Sequence, residues 1–391
     1  MESKKISPAW TLMALAISAF AIGSTEFISV GIMPLIVESF GVSLSTAGLT
    51  VSLYALGVTI GAPLLTLLTN RLNRKTLLIY IMLGFVIGNI LAASAPNFTI
   101  LLIGRIVTAL SHGIFMAVSS VIAADVVEPN KRASAISIMF TGLTVATVTG
   151  VPLGTFIGQT FFWRGSFIFL IVLGLIGLIS SILLVPNNLP LPLHTDYKGI
   201  WRILKQPQLL LIIIITALGY GATYPAYTYI SEILHNNMSW SSSAIVVILI
   251  GYGFAVAVGN TLGGRFANKN PLSALIYMFG GLAIALFFLI FAMNSHYLGL
   301  IAVLLLGIFA FMNVPGLQLY MLQLSENYTP EDVSLASSLN ISAFNIGIMF
   351  GSTMGGQAAS ANLLSLTPLI GIIMLVVGIS LTFILKFKEQ R

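Results

Sequence analysis

The sequence predicts an all-α membrane protein whose chain crosses the bilayer twelve times. Three observations favour this fold class. Apolar residues make up 57% of the chain, and the mean hydropathy is +1.02. Charged residues make up only 7%, whereas soluble domains carry about 25%. The apolar residues form twelve stretches that reach the length of about 20 residues needed to cross the hydrocarbon. The stretches are 9–37, 45–69, 75–95, 98–124, 133–160, 165–186, 207–235, 240–265, 271–293, 297–324, 332–359 and 366–386.

The loops on one side of these stretches are much more basic than the loops on the other. An even number of crossings puts both chain ends on one side, and all but two of the 17 Lys and Arg residues lie there. Arg164 lies in an opposite loop, and Arg105 lies inside the fourth stretch. By the positive-inside rule we expect a multi-pass protein of the plasma (inner) membrane with both termini cytoplasmic. The basic residues are spread over short segments, so no nucleic-acid partner is expected.

The residue types present exclude several functional classes. The chain has no cysteine, so it can form neither a disulfide nor a thiolate metal site. Its four His residues show no metal-ligand spacing, and we predict no metal site. No GxxxxGK[ST] phosphate loop occurs, which disfavours an ATP-driven pump. The longest polar segment, 187–206, leaves no room for a soluble catalytic domain, and we do not expect an enzyme.

The same polar segment divides the chain into halves with six stretches each. We predict an N-terminal bundle at 1–186, a cytoplasmic linker at 187–206 and a C-terminal bundle at 207–391. The Pro-rich start of the segment suits a linker. The halves match at an offset of 198 residues, which aligns Gly61 with Gly259. Chance matches remain an alternative explanation, because the chain has 36 glycines.

The segment after the second stretch carries a recognisable loop pattern. It reads Thr66-Leu-Leu-Thr-Asn70-Arg71-Leu-Asn73-Arg74-Lys75. This resembles the G-x-x-x-D-R-x-G-R-K signature of the major facilitator superfamily, with Asn in place of the Asp. In that family the loop latches the inner gate by charge pairing to the end of the fourth stretch, where Asp125 could pair with Arg71 or Arg132. The resemblance implies a gate built from Asn70, Arg71, Arg74, Lys75, Asp125 and Arg132. Alternatively, the basic residues only fix the topology.

The fifth stretch carries a glycine-rich pattern, Gly142-x7-Gly150-Val-Pro152-Leu-Gly154-x3-Gly158. It resembles the motif that marks exporters of this superfamily. The last three glycines recur at i, i+4 and i+8 on one helix face, which lets another backbone approach closely. Pro152 permits a kink. Ordinary small-residue packing is the alternative interpretation.

Short sequence segments in three further stretches make the resemblance more specific. They include Thr25-Glu26-Phe27 in the first stretch, Arg105 and His112 in the fourth, and Asn340 and Asn345 in the eleventh. These are similar to the drug:proton antiporter branch, of the sugar-efflux, arabinose-efflux and chloramphenicol-resistance type. The resemblance covers essentially the whole chain. It implies two pseudo-symmetric six-helix halves, a monomer, and export of drugs or sugars in exchange for protons by alternating access. No cofactor is then expected, because the proton is the coupling ion.

Two basic groups and one acid lie deep in the predicted stretches. Glu26 is the only acid so placed, and Arg105 and His112 share a helix face at i, i+7. Ionisable groups in a bilayer are costly unless paired or hydrated, so they are functional candidates. We predict that Glu26 carries the coupling proton, with Arg105 and His112 beside it. A static Glu26–Arg105 salt bridge and a packing role for His112 are the alternatives.

A substrate cavity is indicated by polar and aromatic side chains in the second half. Three tyrosines recur at i, i+4 and i+7 in the seventh stretch, and amides lie in the tenth and eleventh. The candidates are Tyr220, Tyr224, Tyr227, Gln318, Asn340 and Asn345. Ordinary helix–helix contacts would explain the same residues. The expected partners are a small-molecule substrate, protons and the lipid bilayer. The alternative function is a passive uniporter or importer of a small polar metabolite, such as a sugar or a nucleoside.

Overall fold

The computed structural model describes residues 7–42, 44–69, 71–189, 196–361 and 363–389. Within these ranges the chain is helical and contains no strand. In the described part of the chain, twelve helical segments are long and apolar enough to cross a membrane. The predicted fold class, an all-α protein with twelve membrane spans, is therefore confirmed. Helices suit this setting because a helix satisfies its backbone hydrogen bonds internally where no water is present.

The contacts within the chain divide it into two compact units. The first comprises Met1–Gly199 with Glu331–Ser342, and the second comprises Ile200–Pro330 with Ala343–Arg391. The helices up to residue 184 are α1 Pro8–Gly31, α2 Met33–Phe40, α3 Leu44–Ala47, α4 Leu49–Leu68, α5 Arg74–Ala93, α6 Phe98–Asp125, α7 Arg132–Val145, α8 Val151–Thr160 and α9 Trp163–Leu184. The remaining helices are α10 Gly199–Lys205, α11 Pro207–Gly221, α12 Tyr224–Tyr227, α13 Ile230–Glu232, α14 Ser242–Ala267, α15 Pro271–Ala292, α16 His296–Ala310, α17 Val314–Tyr328, α18 Val333–Ser360 and α19 Thr367–Glu389.

Four of the predicted stretches are interrupted where the sequence has a proline. The breaks lie between α1 and α2, α7 and α8, α11 and α12, and α16 and α17. The second helix of each pair carries a proline in its first turn, namely Pro34, Pro152, Pro225 and Pro315. A proline lacks the N–H that would bond to the preceding turn, so the regular helix ends just before it. Between α7 and α8 the chain forms a π-helical turn, Ala146–Gly150.

The internal repeat predicted from the sequence appears in matching helix contacts. A Cβ added to Gly61 on α4 would press on Leu110 of α6, and one added to Gly259 on α14 would press on the backbone of Ile308 of α16. Both members of the second pair lie 198 residues after their counterparts in the first. The same close approach is thus built twice, once in each unit, and the pseudo-symmetry of the two halves does not rest on chance glycine matches.

The glycines of the fifth stretch face neighbouring helices of the first unit. A Cβ at Gly142 would overlap the backbone carbonyl of Ala16 on α1. Cβ atoms at Gly150 and Gly154 would overlap side chains of α1, and one at Gly158 would overlap Ser166 of α9 and Ile32, which directly follows α1. Close packing of α1 against α7 and α8 therefore depends on residues without side chains at these positions.

We predict that Gly142→Ala destabilises the first unit more than Gly154→Ala. The carbonyl of Ala16 can move only together with α1, whereas the Cδ1 atom of Ile28, which faces Gly154, can move by a rotamer change. Thermal unfolding of the purified variants in detergent should give the lowest midpoint for Gly142→Ala.

Gly280→Ala is the matched control, because nothing lies within 4 Å of a Cβ at that helical position. Alanine favours a helix over glycine by about 1 kcal/mol, so the midpoint of the control should stay unchanged or rise. Equal midpoints for Gly142→Ala and Gly280→Ala would contradict the packing argument.

Candidate transport site

The centre of the first unit is a buried arginine on α6. Arg105 is 0% exposed and bonds to backbone atoms of two neighbouring helices. Its guanidinium donates to the carbonyl oxygens of Thr25 at 2.8 Å, Thr50 at 3.2 Å and Glu26 at 3.4 Å. A fourth bond, of 3.0 Å, goes to the hydroxyl of Thr25. The cation is thereby held between α1, α4 and α6, with most of its donors satisfied by neutral acceptors.

A tyrosine on α4 joins this arginine to the predicted histidine. The guanidinium carbon of Arg105 lies 4.2 Å from the ring centroid of Tyr54, within the range of a cation–π interaction. The hydroxyl of Tyr54 forms a 2.9 Å hydrogen bond with Nδ1 of His112. Tyr54 and His112 are both buried. The cluster of Arg105, Tyr54 and His112 is named the core triad below.

Tyr54 was not among the residues predicted from the sequence. The sequence contains one weak signal for Tyr54, because the hydroxyl of a tyrosine within an apolar spanning stretch needs a hydrogen-bond partner. The sequence does not reveal which face of α4 turns towards α6, and this orientation brings Tyr54 against Arg105 and His112.

Glu26 lies beside the core triad and contacts Arg105 through its backbone. Its backbone carbonyl accepts from Arg105, and the residue is partly exposed, whereas Arg105 is fully buried. Among the described residues, no ion pair within 4.0 Å joins the Glu26 carboxylate to Arg105. The structure thus brings the two residues together through the backbone of α1. Glu26 therefore lies next to a fixed positive charge without a direct ion pair to it.

The predicted gate residues are partly assembled at one end of the first unit. Arg74, the first residue of α5, forms an ion pair with Asp125, the last residue of α6. The two side chains are only 10% and 17% exposed, so the pair is poorly screened by water. Asn73 caps α5 by accepting from the backbone N–H of Lys75 at 2.9 Å.

Three other predicted gate residues have different placements. Arg71 is exposed, and Arg132 begins α7 and is partly exposed. Asn70 lies outside the described residues. The sequence offered Arg71 or Arg132 as the partner of Asp125, and the structure adds Arg74, which the family pattern also contains. An ion pair between the ends of α5 and α6 fixes these two helices to each other.

The predicted tyrosines of the second unit lie in an aromatic cluster. Its members are Tyr220, Tyr224, Tyr227, Tyr252, Phe311 and Phe344. Tyr220 has ring centroids of three neighbours at 5.0–5.4 Å in edge-on contact. Tyr227 stacks on Tyr252 with centroids 4.9 Å apart. The hydroxyls of Tyr220 and Tyr224 are hydrogen-bonded at 2.8 Å. Neighbouring rings of the cluster therefore contact one another from Phe311 and Phe344 at one end to Tyr252 at the other.

The three predicted amides have different surroundings. Gln318 on α17 and Asn340 on α18 are 0% exposed, and each has a polar or electrostatic partner. Buried amides with partners are typical of bonds between helices. Asn345 on α18 is only partly buried. Within the described ranges, no group of three or more His, Cys, Asp or Glu residues could hold a metal ion.

Comparison with known proteins points to one family. The Major Facilitator Superfamily profile matches residues 15–328 and 209–391. A Bacillus subtilis (strain 168) protein described as uncharacterized MFS-type transporter YtbD is 50% identical over 391 residues, covering 100% of this chain and 99% of that protein. The inner membrane transport protein YdhP of Escherichia coli (strain K12) is 36% identical over 383 residues, covering 98% and 97%.

Two solved structures share the fold at low sequence identity. The human organic anion transporter MFSD10 (TETRAN) superimposes with a TM-score of 0.80 at 14% identity, covering 96% of this chain and 99% of that one. The Escherichia coli fucose:proton symporter FucP gives a TM-score of 0.77 at 16% identity, covering 97% and 99%. At these identities the likeness concerns the fold alone.

We predict that the hydroxyl of Tyr54 and the ring of His112 are energetically coupled. Tyr54→Phe keeps the ring over Arg105 but removes the hydrogen bond to His112. In a double-mutant cycle with His112→Ala, thermal unfolding in detergent should give a coupling of about 0.6 kcal/mol, a usual value for a bond between spanning helices. Tyr54→Leu should cost more stability than Tyr54→Phe, because it also removes the cation–π contact.

Tyr80→Phe on α5 is the control, because Tyr80 is 57% exposed. Removal of the Tyr80 hydroxyl should leave the unfolding midpoint unchanged, and the effect of Tyr80→Phe should add to that of His112→Ala without coupling. Additive effects of Tyr54→Phe and His112→Ala would show that the hydrogen bond contributes no stability.

Proposed function

Because the chain belongs to the Major Facilitator Superfamily and is a multi-pass membrane transporter, we propose that it exports small organic molecules in exchange for protons. Within the family we assign it to the drug:proton antiporter branch, acting as a monomer of the plasma (inner) membrane with both termini cytoplasmic. The observation that carries the proposal is the position of Glu26, a partly exposed residue that lies beside the fixed cation Arg105 and contacts it through its backbone carbonyl.

Glu26 is the only carboxylate that the described chain places in the interior of a long helix. The other described Asp and Glu residues lie in loops, in short helices or within the last turn of a long one. Ionisable groups inside a membrane mark ion pathways because keeping them there is costly. A single acid in the spanning region therefore favours the proton as the coupling ion. It also favours the first unit as the place where the proton binds.

Arg105 suits the role of a permanent charge next to the proton site. Its donors are occupied by the carbonyls of Thr25, Thr50 and Glu26, so its position does not depend on whether the Glu26 carboxyl group is ionised. A neighbouring cation stabilises a carboxylate, and loss of water from the carboxyl group stabilises the protonated form. A carboxyl group that gains and loses access to water as the protein changes conformation can therefore take up a proton in one state and release it in another.

The aromatic cluster of the second unit favours the proposal that the substrates are planar, largely apolar molecules. Its rings supply a large contact area, and the hydroxyls of Tyr220 and Tyr224 supply polar contacts within that area. Aromatic surfaces with a few polar groups are typical of small-molecule sites. Cationic aromatic drugs would gain additional cation–π attraction from such rings. A growth-inhibition panel of antibiotics, dyes and sugars in cells with and without the chain would identify a transported compound for the tests below.

We predict that Glu26→Gln keeps the fold but abolishes uphill export, while exchange of labelled for unlabelled substrate persists. Glutamine retains the shape of the side chain but cannot carry a proton. The measurement compares uphill transport into inverted membrane vesicles under an imposed proton gradient with counterflow in the absence of a gradient. Glu38→Gln is the matched control, because Glu38 is exposed near the end of α2.

Wild-type pumping by Glu26→Gln would exclude Glu26 as the proton carrier. Substrate movement without any accompanying proton movement in the wild-type protein would favour the passive uniporter. Substrate and proton movement in the same direction would favour a proton-coupled importer. The vesicle experiment therefore also tests the direction of transport and its coupling.

We predict that Arg105→Ala lowers both stability and transport, and that Arg105→Lys restores little of either. Removal of the guanidinium takes away the charged hydrogen bonds that join α6 to carbonyl groups of α1 and α4, at about 1.5–3 kcal/mol each. A lysine ammonium is a compact point charge and cannot span both helices as the planar guanidinium does. Loss of the cation also removes the fixed charge beside Glu26, so the pH profile of any residual activity should change.

Thermal unfolding and the pH profile of vesicle transport test the two roles of Arg105 separately. A lower unfolding midpoint with an unchanged pH profile would leave Arg105 a purely structural role. Arg164→Lys is the control substitution, because Arg164 donates to a single carbonyl, that of Ala95, at 2.9 Å. It should change neither the midpoint nor the profile appreciably.

A further inference from the structure

A groove on the second unit is lined by residues that the candidate transport site does not include. It is a groove of about 530 Å³ between the end of α14, the start of α15 and the junction of α16 and α17. Its apolar lining is formed by Phe266, Tyr277, Met278, Phe309 and Met312. Its volume is within the range of roughly 300–1,000 Å³ of small-molecule sites. Phe266 and Tyr277 are 57% and 80% exposed, so the groove opens to the outside of the unit.

One end of the groove is polar and positively charged. Lys269, Asn270 and Ser273 line this end, and Lys386 on α19 donates to the hydroxyl of Ser273 at 3.1 Å. Two ammonium groups therefore border the rim. None of the residues that line the groove is an Asp or a Glu. Glu389, the nearest acid along α19, accepts instead from the hydroxyl of Tyr328 at 2.9 Å. No acidic residue of the lining therefore compensates the positive charge of the rim, and an anion bound in the groove would do so.

The position of the groove along α15 matches the boundary between lipid headgroups and acyl chains. The polar rim lies at the start of this spanning helix, and the apolar lining reaches Met278, about 10 Å further along the helix axis. Aromatic residues such as Tyr277 are common at this depth. The sequence has its basic loops on the same side of the membrane, which is the cytoplasmic side by the positive-inside rule. That leaflet is the one that carries an excess of anionic lipid.

We propose that this groove binds one anionic phospholipid of the cytoplasmic leaflet. The phosphate lies between Lys269 and Lys386, and one acyl chain lies along Phe266, Phe309 and Met312. A neutral lipid would leave the two ammonium groups uncompensated, and a free anion would use the rim but leave the apolar lining uncovered. A single molecule with an anionic head and an apolar tail fits both parts of the groove.

The test measures lipid retained by the purified full-length chain in a neutral detergent. Native mass spectrometry follows titration with phosphatidylglycerol, phosphatidylcholine of the same acyl chains, or inorganic phosphate. We expect one tightly held phosphatidylglycerol, preferred over phosphatidylcholine by roughly thirtyfold, since each lysine contributes about 1 kcal/mol towards an anionic lipid. The double variant Lys269→Gln with Lys386→Gln should lose this preference.

Two further variants separate the groove from general surface charge. Ala274→Phe places a ring in the groove and leaves both lysines, so it should release phosphatidylglycerol despite unchanged charge. Lys388→Gln removes an exposed cation of α19 that does not line the groove, and it should retain lipid as the wild type does. A wild-type size-exclusion profile confirms that each variant is folded. The Lys269→Gln and Lys386→Gln changes lie at the surface, so the double variant still tests the role of the two lysines even if Ala274→Phe misfolds.

Three results would overturn the proposal. Undiminished preference for phosphatidylglycerol in the double variant would remove the lysines from the site. Equal loss in Lys388→Gln would show a diffuse attraction of the whole basic end. Competition by inorganic phosphate at the same concentration as phosphatidylglycerol would show an anion site without a lipid tail.

Discussion

The arrangement of the first unit depends on how it accommodates one buried guanidinium. A cation within a bilayer-spanning bundle is expensive unless its donors are satisfied. Arg105 meets this requirement with backbone carbonyls of α1 and α4 and with the ring of Tyr54. The acceptors come from two segments, α1 and α4, and the donor comes from a third, α6, so the contact exists only when these three helices are in register. The same interaction therefore positions the Glu26 backbone and, through Tyr54, the ring of His112.

Close helix approach is the second constraint, and both units meet it with glycine at equivalent positions. Gly23 on α1 packs against Leu143 of α7, and Gly221 on α11 packs against the backbone of Gly347 on α18. The first helix of each half is thus held against the fifth. In the first unit this is the helix that carries Glu26, so the small residues of α7 and α8 determine how closely their backbone can approach the helix of Glu26. The exporter-type glycine pattern and the acid of α1 are parts of one packing arrangement.

The sequence predicts the number of spans, their approximate bounds and the internal repeat, because the lengths of the apolar stretches and the repeat spacing can be counted directly from the residues. It also contains the proline signals for the four interrupted spans. It does not predict Tyr54 as the link between Arg105 and His112, since that requires the rotation of α4 relative to α6. Nor does it predict that Arg105 bonds to carbonyls. Every residue has a carbonyl, so the pattern of side chains carries no signal for such a partner.

The neutral partners of Arg105 have a consequence for the energetics of a transport cycle. A guanidinium held by carbonyls contributes a full positive charge to the core of the first unit, whatever the state of the neighbouring carboxyl group. With the carboxyl group ionised the pair sums to zero, and with it protonated the sum is one elementary charge. Each elementary charge that crosses the membrane field changes the free energy by about 2.3 kcal/mol per 100 mV. The two halves of the cycle would then respond differently to the membrane voltage, so voltage as well as the pH difference would set the direction of net flux.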